Sequence, residues 1–63
     1  MSVEFSKNDL MLMEMLLSKE EGMTRVEIHH CFSHDYKTFL KEREKQIGDL
    51  LARIRNALAV INQ

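Results

Sequence analysis

Leu40, Ile47, Leu51, Ile54, Leu58 and Ile61 recur at spacings of seven, four, three, four and three. Only an α-helix brings such positions onto one stripe, and a stripe of that period is a seam that packs against another helix. With Leu51 and Leu58 at heptad position a, the remaining four fall at d, while Leu50 and Ala57 lie beside them at g. Glu44 occupies the preceding a position and weakens the seam toward the helix start. The chain is therefore expected to be all-α and to depend on helix–helix contact.

The chain has 63 residues, no proline, two glycines and one cysteine, Cys31. A chain this short buries only about 60% of the surface its unfolded form exposes. Small folds therefore commonly rely on a disulfide, a metal or a second subunit. A single cysteine excludes an internal disulfide and fits a reducing compartment. The longest apolar run, Leu10–Met13, ends at Glu14; even extended through Leu17 it falls far short of the roughly 20 residues of a membrane span. The first residues show no leader pattern. The expectation is a soluble cytoplasmic protein without a membrane contact.

Local signals divide the chain into three helices, at about 7–21, 25–32 and 35–62. Ser6 and Asp9 have the spacing of a capping box, with Phe5 and Leu10 placed to staple across it. Gly22 is positioned as a left-handed terminator of the first helix. Thr24 and Glu27 form a second capping box, flanked by Met23 and Ile28. Ser33 or Asp35 can cap the third helix, and Asp49–Arg53 has the favourable i,i+4 order. Gly48 lies inside that helix, either as a tolerated cost of about 1 kcal/mol or as a place where another backbone comes close.

These elements predict two short helices followed by a long amphipathic one, assembled as a homo-oligomeric helical bundle, with a homodimer as its smallest form. Two reasons favour assembly. The long seam outruns the two short helices. The first helix also carries Leu10, Met11, Leu12, Met13, Met15, Leu16 and Leu17, apolar groups nearly all the way round, as in helices buried on more than one side. Methionine is adaptable at binding surfaces, although any single one can equally be core filler. The expected interface comprises Met11, Met13, Met15, Leu17, Leu50, Leu51, Ile54, Leu58 and Ile61, contacting a second copy and another protein. An amphipathic helix packed only within its own chain is the competing reading of the same seam.

His29, His30, Cys31 and His34 form the single cluster of metal-ligand types, but it lacks the closed set of four that structural zinc requires. No metal or other cofactor is expected. No glycine-rich phosphate loop, paired-carboxylate motif or nucleophile elbow is present, and a Cys–His nucleophile would need a third, orienting group and a pocket. The expected function is that of a non-enzymatic regulator or adaptor.

The alternative is a helix-turn-helix regulator of DNA. The 25–32 segment would then support, and the start of the third helix would read, with Lys37, Thr38, Lys41 and Lys45 toward the nucleic acid. Charge disfavours it. The net charge is −1, with three basic and seven acidic residues in 1–35 against six basic and three acidic in 36–63. Nucleic-acid binders show a clear basic excess. Opposite charge on the two halves favours attraction between them instead.

Overall fold

The computed structural model describes residues 2–61 and consists of two helices, α1 (Lys7–His30) and α2 (His34–Ile61), joined by the short turn 31–33. Arg25 contacts Glu44 and Glu14 contacts Arg55, so the helices run antiparallel as a hairpin. The molecule measures 44 × 24 × 15 Å. A helix with its side chains is about 10–12 Å across, so the thinnest dimension is a single layer of two helices side by side.

The all-α expectation agrees with this architecture; the division into three helices does not. The expected helices at 7–21 and 25–32 are one continuous helix of 24 residues. Gly22 is helical, and no described residue has positive φ. Thr24 does not cap. It is almost fully buried, and its hydroxyl donates to the Glu20 carbonyl at 2.8 Å, one turn back. Continuity wins because it keeps one face of α1 aligned with α2. Leu10, Glu14, Leu17, Glu21, Thr24, Ile28 and Cys31 follow one another at alternating steps of four and three, and all are buried or half-buried. Packing along this stripe outweighs the roughly 1 kcal/mol that an interior glycine costs.

The remaining boundaries follow the local signals. Ser6 caps α1: its Oγ accepts from the Asp9 amide at 3.1 Å, while the Asp9 carboxylate accepts from the Ser6 amide at 3.0 Å. At α2, the Ser33 Oγ accepts from the Tyr36 amide at 3.4 Å, and Asp35 lies in the first turn. The helix is described to Ile61; its expected end at Asn62 lies outside the described residues.

The core is the α2 seam closed by α1. Leu40, Ile47, Leu51, Ile54 and Leu58 are buried, with Leu51 1% exposed, and Leu10 of α1 is buried against Ile54 and Leu58. Glu44, the polar residue in the heptad, is half-buried and pairs with Arg25 at 3.4 Å. Within the chain, among the described residues, no other backbone comes close to Gly48: a Cβ there would meet the Glu21 carboxylate at 3.4 Å.

Candidate functional site

The two edges of the seam differ in chemistry. At about 100° per residue, Ser18 and Arg25 flank the α1 seam on one edge beside Glu14, and Arg55 flanks the α2 seam on the facing edge, on the side of Glu44. Arg55 reaches Glu14 at 3.1 Å and Ser18 at 3.3 Å, and Arg25 reaches Glu21 at 3.5 Å as well as Glu44. The arginines of these pairs are exposed while the carboxylates are half-buried, and each pair contributes about 0–1 kcal/mol; the pairs across the helices fit the antiparallel register.

The opposite edge is apolar. Phe5, Met13, Leu50 and Ala57 line an open groove whose floor is Leu10 and Ile54, with Arg53 at its rim. Phe5 and Leu10, spaced as a staple across the N-cap, thus line one groove. Toward the turn the same edge carries Tyr36 and Phe39, with ring centroids 6.0 Å apart, and the Arg43 guanidinium lies 5.5 Å from the centre of the Phe39 ring. Arg53 makes no ion pair with Asp49 within 4 Å among the described residues.

The expected contact residues separate into two groups. Leu51, Ile54 and Leu58 are buried by α1, and Met13 and Leu17 pack half-buried against the same cluster. The seam assigned to a second subunit is therefore filled within the chain, because α1 is long enough to cover its far end. Met11, Met15, Leu50 and Ile61 remain open to solvent, Met15 at 60%.

The expected contact set leaves out part of the exposed surface. Leu12, Leu16, Met23 and Val26 are each at least half exposed. They share the side of α1 turned from α2, and with Lys19 they repeat at four-and-three spacing. That second stripe was visible in the sequence, but the supposed break at Gly22 cut it in two. Phe39, with Arg43 against its ring, gave no periodic signal.

The other candidates do not assemble. His29 and His30 end α1, His34 begins α2, and the Cys31 thiol donates to the Ser33 carbonyl at 3.4 Å. Among the described residues no three His, Cys, Asp or Glu side chains converge to hold a metal ion. Lys37 is half-buried, Lys41 and Lys45 are exposed, and the Thr38 hydroxyl donates to the His34 carbonyl at 3.1 Å. The short supporting helix of a helix-turn-helix does not exist here, since its residues belong to α1. Among the described residues, no helix is long and apolar enough to cross a membrane.

No family model, curated protein or solved structure matches this chain.

Proposed function

We propose that this chain is a small non-enzymatic adaptor or regulator of the cytoplasm that works by helix-mediated contact, both with itself and with another protein. One observation carries the reading: Leu12, Met15, Leu16, Met23 and Val26 of α1 are each 50–60% exposed although α2 has already closed the core. Isolated exposed apolar residues are ordinary, but five gathered on one side of one helix, broken by Lys19, mark a contact surface. The two methionines let such a surface adapt to the shape of its partner. The grooves are shallow and open, which suits docking of a helix better than enclosure of a substrate.

Site-specific photo-crosslinking in the cells that make the protein tests this reading. A photoreactive side chain at Met15 or Met23 should give discrete crosslinked species, and one at the exposed Glu42 should not. No discrete product at Met15, Met23 or Leu50 would overturn the contact-based function.

A further inference from the structure

Resting on that reading, we propose that the apolar edge of the hairpin is occupied by a second copy of the chain. Each α1 lies over the other copy's α2 about a two-fold axis parallel to the helices, forming an antiparallel four-helix bundle.

The surface left open is of the size a dimer requires. The chain exposes 5275 Å², whereas a compact monomer of 7.4 kDa would expose about 4,200 Å². The excess, about 1,000 Å², is on the scale of the roughly 800 Å² that each partner buries in a standard interface. A hairpin 15 Å thick is one layer, and stable domains are built from at least two packed layers.

The choice of edge follows from the side chains. The ion-paired edge is charged, with Arg25, Glu44, Glu14 and Arg55 paired within the hairpin and Lys7 and Lys41 beside them, whereas the groove between Phe5, Met13 and Leu50 is almost wholly apolar. Two hairpins stacked on that edge by a two-fold axis can cross in two ways: like helix over like, or α1 over α2.

Charge selects between them. α1 has three basic and five acidic residues, and α2 has six basic and four acidic. On the apolar edge α1 presents Glu20 and Glu27, and α2 presents Arg43 and Arg53. None of these four joins an ion pair among the described residues. Stacking like over like places acid near acid and base near base. Stacking α1 over α2 places opposite signs together, as complementary interfaces do. The register gives a specific pair. Arg25 is level with Glu44, and Glu14 with Arg55, so Glu27 is level with Arg43. Rotation about an axis parallel to the helices preserves that height and brings Glu27 of one copy to Arg43 of the other.

Sedimentation equilibrium on the intact chain should give twice the 7.4 kDa monomer mass. A monomer mass at every concentration overturns the proposal; if crosslinks to a different protein still form in cells, the adaptor reading survives without the dimer. Leu50→Glu should weaken dimerisation about a hundredfold, since it buries an unpaired carboxylate, whereas Ala59→Glu near the ion-paired edge should leave the mass unchanged. Should Leu50→Glu unfold the hairpin, the charge pair decides. Glu27→Arg should weaken the dimer severalfold and Glu27→Arg with Arg43→Glu should restore it; failure of that rescue overturns the pairing. Spin labels on Phe32→Cys in a Cys31→Ser background report the arrangement. Both turns at one end give a separation far below the 44 Å length of the hairpin, and a separation near that length overturns α1 over α2.

Discussion

Gly22 and Thr24 have conformations that their own chemistry does not favour, and tertiary packing is the reason. Nothing lies within 4 Å of the place a Gly22 Cβ would take, and its φ is ordinary. Gly22→Ala should therefore stabilise the hairpin by up to about 1 kcal/mol and raise the thermal midpoint by several degrees, as read by circular dichroism. Gly48→Ala should gain less, because the new methyl must share space with the Glu21 carboxylate at 3.4 Å. Thr24 is 2% exposed, and its hydroxyl shares a Glu20 carbonyl that already serves the helix. Thr24→Val should thus cost nothing measurable or add up to about 1 kcal/mol, since it removes a buried polar group whose partner stays bonded. A measurable loss in the same melt would show that the hydroxyl supports the seam.

Legibility in the sequence changes from one element to the other. α2 was readable because its apolar residues fall on one stripe, its cap Ser33 is local, and Gly48 and Glu44 in its interior are not accompanied by a second cap. The Ser6–Asp9 cap of α1 was readable for the same reason. The course of α1 was not. Its buried stripe includes Glu21 and Thr24, two polar residues, while Leu12, Leu16 and Met23 sit outside it, so hydrophobicity alone could not locate the face that meets α2. Gly22, Thr24 and Glu27 then supplied a convincing local stop and start that only the partner helix overrules. Of the expected contact residues, Met15 and Leu50 are open to solvent, whereas Leu51, Ile54 and Leu58 close the chain on itself. That difference is measurable. Leu51→Ala should cost about 2–5 kcal/mol as a cavity in a tight seam. Ile61→Ala, at a position 46% exposed, should cost under about 1 kcal/mol in the same denaturant titration. Equal losses would mean that the far end of α2 is as enclosed as its middle.

For the whole molecule, a two-helix layer with a core of Leu10, Leu40, Ile47, Leu51, Ile54 and Leu58 has little cooperative burial to oppose chain entropy, and the exposed edge offers the missing half. If the second copy proposed above covers that edge, folding is coupled to assembly and stability is a function of concentration. For a dimer that unfolds to two separate chains, a hundredfold dilution removes about 2.7 kcal/mol from the unfolding free energy. With unfolding entropies of about 2.1 cal/mol/K per residue over both chains, that shift lowers the thermal midpoint by on the order of 10 °C. Leu50→Glu should abolish the dependence and bring the midpoint to a single value below that of the dilute wild-type chain, because its hairpin must fold alone. A wild-type midpoint that holds steady across the hundredfold range would instead mean that the six-residue core suffices, and that the apolar edge awaits a partner other than a second copy.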